Sequence, residues 1–315
     1  KRHTNFAQTV ERQVIQGNPS AGGMSTVRFE RKGDLLGFVY LAPRSGTATH
    51  SPTDWLGQGA TVEWLVVGQV IDTQDANFSQ FVAPTVMSQN LTKSISGYGE
   101  AAESRFYPLR FSFCENWQSA IPLVALQYHD VEIRVTWGGS LAGAWECYAH
   151  FIYLDTDERS SLAAAPQNML ITQTQKSVAS NSTIQELNLN HPVKYLAAAD
   201  GAALGIAADD NKIKLQINGT DVTDFKYTDP HYTAVSEYYH TCASAAAASG
   251  SNKKRFIYPF CFETGKLQPT GSLNFSRVDS ARLVSETASH TDDIYAVNYN
   301  IMRIESGMGG LMYSN

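Results

Sequence analysis

Apolar and polar residues alternate with a period of two along much of the chain, which places apolar side chains on one face of an extended strand. In Val131-Glu132-Ile133-Arg134-Val135-Thr136-Trp137 the apolar residues share one face and Glu, Arg and Thr the other, as on a half-buried antiparallel strand. Tyr107, Leu109, Phe111 and Phe113 alternate in the same way, as do Phe256, Tyr258, Phe260 and Phe262, and Tyr295, Val297, Tyr299 and Ile301. Ile213, Leu215 and Ile217 lead into Asn218-Gly219, a hairpin-turn dipeptide because both residues tolerate positive φ. The stretches from Thr26 to Arg31 and from Leu35 to Leu41 flank Lys32-Gly33-Asp34 and read as a further hairpin. The run from Val62 to Ile71 is apolar on both faces, which predicts one strand covered by a second sheet or by a partner subunit.

Helical periodicity is scarce. Asp157 to Gln175 is Ala-rich at its start and alternates poorly, which predicts a helix and linker broken at Pro166. The Ala-rich pieces from Ala197 to Ala208 and from Ala243 to Ala248 read as loops or short helices. Many short strands separated by turn signals predict an all-β chain of sandwich or jelly-roll type. With 315 residues, two domains are expected: an N-terminal one over 1–156, a linker with a short helix over 157–180, and a C-terminal one over 181–315.

Composition narrows the function classes. A net charge of −6 opposes dedicated nucleic-acid binding, and 43% hydrophobic residues exclude disorder. No apolar run is long enough to span a membrane, and Lys1 to Val10 is too polar for a signal peptide, so the chain reads as soluble. Cys114, Cys147, Cys242 and Cys261 lack the spacing of a zinc site or redox pair and read as buried thiols in a reducing compartment.

Catalytic patterns fail in turn. Gly138-Gly139-Ser140-Leu141-Ala142 imitates a nucleophile elbow without a following helix, so a hairpin loop is expected around Ser140. Asp155-Thr156-Asp157-Glu158 opens like a calcium loop, but Ser160 and Pro166 stand where that loop needs Gly and Glu. Glu237 and His240 have the spacing of a carboxylate-bridged metal motif, but such sites need it twice. No catalytic, cofactor-binding or metal-binding residue is therefore assigned, and no cofactor is expected. Asn77, Asn90, Asn181, Asn218 and Asn274 begin N-x-[ST] sequons, most of which the cysteine usage predicts to be unoccupied. Gly307, Gly309 and Gly310 are expected at turns or close approaches.

Five stretches in fixed order resemble the major capsid protein of the nucleocytoplasmic large DNA viruses, the group of phycodnaviruses, iridoviruses and mimiviruses. They are Phe106 to Phe113 with Ile121 to Ile133; Tyr153 to Arg159; His191-Pro192-Val193-Lys194; Gln268 to Asp279; and Tyr295 to Asn315. Val62 to Asp72 is similar to the strand before the family's first long insertion. The resemblance implies two consecutive eight-stranded antiparallel jelly rolls. It further implies homotrimers of nearly hexagonal outline that tile an icosahedral shell around double-stranded DNA, assembly inside the host cell, and minor capsid proteins as partners. The segments from Gln118 to Ile121 and from Asn211 to Lys254 leave little room for large outward loops. The 34 aromatic residues supply contact area for such a shell. A carbohydrate- or receptor-binding jelly-roll protein of a virus particle is the alternative, for which Trp55, Trp117 and Trp145, in or near expected loops, are the candidate platforms.

Overall fold

The computed structural model describes residues 4–44, 59–87, 106–141, 143–199, 204–208, 210–241 and 255–314. Among these the chain divides into two compact units: one holds residues up to 76, 106–173 and 300–314, and the other holds 77–87 and the described part of 174–299. Both units are discontinuous in sequence, which a division into successive stretches does not contain.

The first unit has two antiparallel sheets. One is ordered β1 (Phe6–Gln13), β10 (Trp145–Leu154), β4 (Leu35–Pro43) and β7 (Tyr107–Pro108), with β8 (Ile121–Pro122) also on β4. The other runs β2 (Ile15–Gln16), β3 (Met24–Arg28), β9 (Val131–Thr136), β5 (Thr61–Val66) and β6 (Gln69–Asp75). Val27, Val39, Leu41, Trp64, Ile133, Val135, Cys147 and Phe151 come from both sheets and meet in one buried cluster. Alternation along β9 follows from this: Ile133 and Val135 enter the core while Glu132 and Arg134 stay half-buried outside.

In the second unit one sheet is ordered β11 (Gln167–Ser177), β20 (Ile294–Glu305), β13 (Pro192–Ala198) and β17 (Phe256–Pro259), with β18 (Leu273–Asn274) on β13; β21 (Met308–Leu311) pairs with the end of β20 that belongs to the first unit. Its facing sheet is β12 (Ile184–Glu186), β19 (Ala281–Ser285), β14 (Lys212–Ile217) and β15 (Thr220–Asp221), with β16 (Lys226–Tyr227) on β14. Leu196, Ile213, Leu215, Phe256, Leu283 and Ala296 form the core between them. The chain passes from one unit to the other within β11 and within β20. In each unit the first strand pairs with the last long one, β1 with β10 and β11 with β20, and an interior strand follows, β4 or β13. This is one jelly-roll winding used twice.

Several expectations are corrected. The stretches around Lys32-Gly33-Asp34 are not a hairpin: β3 pairs with β2 and β9, while β4 pairs with β10, β7 and β8 in the opposite sheet. Residues 29–34 cross between sheets, with Phe29 N–H donating to Val131 O and Asp34 N–H to Ile152 O. A Cβ on Gly33 would lie 2.7 Å from that of Phe151, so the crossing chain hugs β10.

Val62 to Ile71 is two strands rather than one, joined by Val67-Gly68 at φ 51° and 75°. Trp64, Leu65 and Val66 are buried within the chain itself, and Val67 is 53% exposed in the turn, so this stretch needs no partner subunit to cover it. The strand over Tyr107 to Phe113 stops after Pro108, which has no N–H for the ladder, and Ser112–Glu115 turns into one helical turn. Arg110 is as buried as Leu109, so the alternation there does not separate inside from outside. Phe256 to Phe262 is a strand only to Pro259, and Phe262 is exposed.

The helix expected after Asp157 spans Thr156–Ala164, capped by Asp155 Oδ1 accepting from Thr156 N–H at 2.9 Å. Beyond Pro166 the chain forms the eleven-residue strand β11 instead of a linker, with Ile171 and Gln173 facing inward. Ala197 and Ala198 end β13, and Gly205–Ala207 is a single helical turn; Ala243 to Ala248 lies outside the described residues. Among the described residues no helix is long and apolar enough to cross a membrane.

Candidate functional site

Ser140, Asp155 to Glu158, and the Glu237 and His240 pair are not brought together into one site. Ser140 sits on an exposed turn after β9, with no helix behind it; Leu141 N–H closes back on Gly138 O. Asp155 caps a helix as above, and Asp157 and Glu158 lie exposed in that helix's first turn, where their charge favours its positive dipole end. Glu237 turns to Arg255 at 3.8 Å, while His240 Nδ1 lies 3.0 Å from Phe262 O, so the two share no ligand position. Among the described residues no three His, Cys, Asp or Glu side chains cluster as a metal site. Cys114, Cys147 and Cys261 are buried and free, and burial pushes the thiols of Cys114 and Cys147 up to about 12. Cys242, Asn90 and Trp55 lie outside the described residues. Trp145 is in β10 rather than a loop and is buried beside Trp137, whereas Trp117 is exposed.

What the structure does bring together are stretches far apart in sequence. His191-Pro192-Val193-Lys194 and Gln268 to Asp279 meet where β13 pairs with β18, Val193 opposite Leu273 and Pro192 opposite Asn274. Phe275 N–H donates to His191 O at 3.0 Å and His191 N–H to Ser276 Oγ at 2.9 Å. Lys194 is buried: its Nζ donates to Thr264 O at 3.0 Å and lies 5.2 Å from the centre of the Tyr299 ring, so its charge is solvated by the protein. Gly271, at φ 138°, passes so near β17's end that a Cβ would stand 2.9 Å from Phe260 O.

A second junction joins the segment before β9 to the C-terminal hairpin. Tyr128 N–H donates to Gly307 O at 3.0 Å, and Gly309 N–H donates to His129 Nδ1 at 3.0 Å. Ser306-Gly307 forms the two-residue turn at φ 53° and 79°. Cβ atoms on Gly307 and Gly309 would lie 2.7 Å from the Tyr128 ring and 2.6 Å from Leu126 Cδ2; Gly310 has ordinary room and is the exception to the close-approach expectation. At a third junction Arg159, after Tyr153 to Asp155, grips Asp34 of the sheet crossing.

The four sheets differ on their outer faces. Two carry ion pairs of the solvated kind: Arg134 with Glu63 at 3.1 Å, and Lys214 with Asp221 at 2.8 Å. The outer face of β13 and β20 is apolar and lies under Phe78, Val82 and Val86, with Phe78 and Tyr295 ring centres 5.5 Å apart. The outer face of β4 and β10 is an aromatic row: Phe38 stacks on His150 at 4.3 Å and Tyr40 on Tyr148 at 5.3 Å. At its rim Tyr148 OH and Arg12 donate to Glu146 and hold that carboxyl below its ordinary range.

Two jelly rolls of one winding in a single chain define a double jelly-roll capsid-type protein. The N-terminal family model for major capsid proteins matches residues 1–186, and that of the large eukaryotic DNA virus major capsid protein matches 207–310. The chain is 33% identical over 371 aligned residues to the major capsid protein of Pyramimonas orientalis virus, covering 100% of this chain and 92% of the relative. It is 29% identical over 416 aligned residues to that of Paramecium bursaria Chlorella virus 1, covering 100% and 93%. The crystal structure of PBCV-1 VP54 superposes with a TM-score of 0.79 at 26% identity, covering 100% of this chain and 98% of that one. The chain belongs to the major capsid protein family of large eukaryotic DNA viruses. Aligned spans of 371 and 416 residues against the 315 here mean that both relatives hold additional residues, in keeping with the short loops read from the sequence.

Proposed function

We propose that this protein builds the shell of a large DNA virus, three copies associating into a capsomer of six jelly rolls that packs with its neighbours in an icosahedral array around the genome. The repeated winding carries this reading: two like sandwiches per chain let a trimer present six similar sides. Its place is the virion, its first partner is itself, and minor capsid proteins would fill the joints between capsomers. The role is structural rather than enzymatic, since the family's characteristic stretches are spent on backbone junctions. A net charge of −6 fits a shell whose contact with the genome is not sequence-specific.

Light scattering behind size exclusion is expected to return about three times 34.6 kDa, unchanged on dilution, because an obligate interface of more than about 2,000 Å² does not part without unfolding. Negative-stain images should show hexagonal outlines. A stable monomer at micromolar concentration overturns the reading.

A further inference from the structure

Each sandwich carries a helical segment at the same place in its winding. The connection from β6 to β7 opens with π-helical Phe78–Val82 and continues as α-helical Ala83–Val86; the one from β16 to β17 contains π-helical His231–Val235 and then α-helical Ser236–His240. In the first segment Phe78, Val82 and Val86, four residues apart, are buried on Tyr195, Ala197, Tyr295 and Val297 of the outer β13 and β20 face. Asn77 Nδ2 fastens its start to Ala199 O at 3.1 Å. At the matching positions of the second segment stand His231, Val235 and Tyr239, and all three are exposed, Val235 by 40% and Tyr239 by 70%. The opposite side of that segment, Tyr232, Thr233 and Ser236, is buried. The second stripe is therefore the counterpart of a docked one, turned outward.

The acceptor shows the complementary deficit. By strand order the β4 and β10 face is the equivalent of the β13 and β20 face. It carries Phe38, Tyr40, Tyr148 and His150 in a stacked row, with Phe38 still 40% exposed and both tyrosines half-buried, and Arg12 and Glu146 pair at its edge as in the polar rim of a protein interface. Among the described residues one chain thus contains a filled pair of helix and face, and a second pair whose two halves have no such mate. We propose that the His231, Val235 and Tyr239 stripe of one copy seats on the Phe38, Tyr40 and Tyr148 face of a second copy, reproducing between chains the contact that Phe78, Val82 and Val86 make within one. Because donor and acceptor are different patches of the same molecule, the association is head-to-tail, and a trimer built on it is a closed ring of three such contacts. The inference rests on the trimer reading above and assigns the surfaces that make it.

The test measures mass by light scattering, with thermal melting as the check on folding, for the wild type, for Val235→Asp with Tyr239→Asp, and for Tyr40→Asp with Tyr148→Asp. The wild type is expected near 104 kDa, three times 34.6 kDa, and each double variant at 34.6 kDa with a cooperative melt. In parallel, Phe38→Cys combined with Tyr239→Cys, both at exposed positions, is oxidised mildly and digested. A disulfide between the peptides holding 38 and 239, joining separate chains on a non-reducing gel, supports the proposal even where an Asp variant fails to fold. A wild-type monomer overturns the trimer reading itself. A wild-type trimer whose folded Asp variants stay trimeric, or whose cysteine pair does not join chains, leaves that reading standing and overturns this assignment of faces.

Discussion

Arg159 holds Asp34 through both ends of its guanidinium, Nε at 2.8 Å from Oδ1 and Nη2 at 3.0 Å from Oδ2, while Leu154 N–H donates to Oδ2 at 2.7 Å. The crossing between the sheets of the first sandwich is thereby tied to the chain just beyond its last strand. The Asp34 side chain is nearly buried and Arg159 is half exposed, so the two ends of the pair are unequal. Asp34→Ala is expected to cost about 1.5–3 kcal/mol, since it strips two charge-assisted hydrogen bonds and leaves Leu154 N–H unpaired. Arg159→Ala should cost about 1 kcal/mol or less because water replaces an exposed partner. Urea midpoints of both variants check the order; equal losses would show that the ion pair, not the backbone bond, dominates.

Val67 is a β-branched residue at φ 51° in the two-residue turn between β5 and β6. Left-handed backbone crowds its Cβ, at a cost of roughly 1–2 kcal/mol that Asn largely avoids. Val67→Asn is therefore expected to raise the melting temperature of the isolated protein. A lower one would show that contacts of the valine side chain within the protein outweigh the strain of its backbone.

At the C-terminal hairpin Gly307→Ala is expected to be the most damaging of the three glycine changes, costing about 1–3 kcal/mol, because it combines positive φ with the Tyr128 ring 2.7 Å away. Gly309→Ala lacks the positive φ and meets closely only the terminal Cδ2 of the buried Leu126, with Ile304 and Val66 at 3.7 Å, and Gly310→Ala meets nothing tighter than 3.6 Å. Ranking the three by thermal melting checks this; a Gly310 variant as unstable as the Gly307 one would contradict it.

His290 is fully buried, and burial lowers its pKa from 6.5 to about 4 against the smaller opposing effect of hydrogen bonding to the Leu283 and Thr183 backbone. The sign follows from proton uptake: between pH 6.5 and about 4 the unfolded chain binds a proton that the folded one refuses, so stability falls as pH falls through that window. The full loss is about 3 kcal/mol. His290→Phe should flatten the stability-against-pH curve between pH 6.5 and 4 without changing its course above 7. A variant with the wild-type slope would assign the acid sensitivity elsewhere.

Asn77 is half-buried and its Nδ2 donates to Ala199 O and Tyr295 OH, so its sequon cannot carry a glycan with the segment docked. Asn181, by contrast, lies on an exposed turn at φ 54°. Peptide mass mapping of protein made in a glycosylating host is expected to find Asn77 unmodified in the folded protein; occupancy there would mean that the glycan was added before folding and that the docked segment is displaced.

Local chemistry determined part of this molecule by itself. Val131 to Thr136 had to be a strand with two unlike faces, because one side meets core and the other water. Asn218-Gly219 had to turn, because both residues accept the positive φ of 49° and 78° that it adopts. The resemblance of five stretches to the capsid family was likewise visible in residue order, and with it the double jelly roll. Pairing was not, since it depends on contacts between residues distant in sequence. Leu35 to Leu41 looks the same whether it folds back on Thr26 to Arg31 or crosses to β10, and contacts with distant residues favour the crossing, among them β10 pairing, the Phe151 side chain against Gly33 and the Arg159 grip on Asp34. Val67-Gly68 hid a turn inside an apolar run because strand pairing on both sides imposes a conformation that valine does not favour. That His191 to Lys194 and Gln268 to Asp279 form one junction, and that Phe78 to Val86 covers Tyr195 and Tyr295 while Val235 and Tyr239 of its counterpart are exposed, was decided by tertiary structure alone. Burial is a property of what lies opposite a side chain, and the sequence names the side chain only.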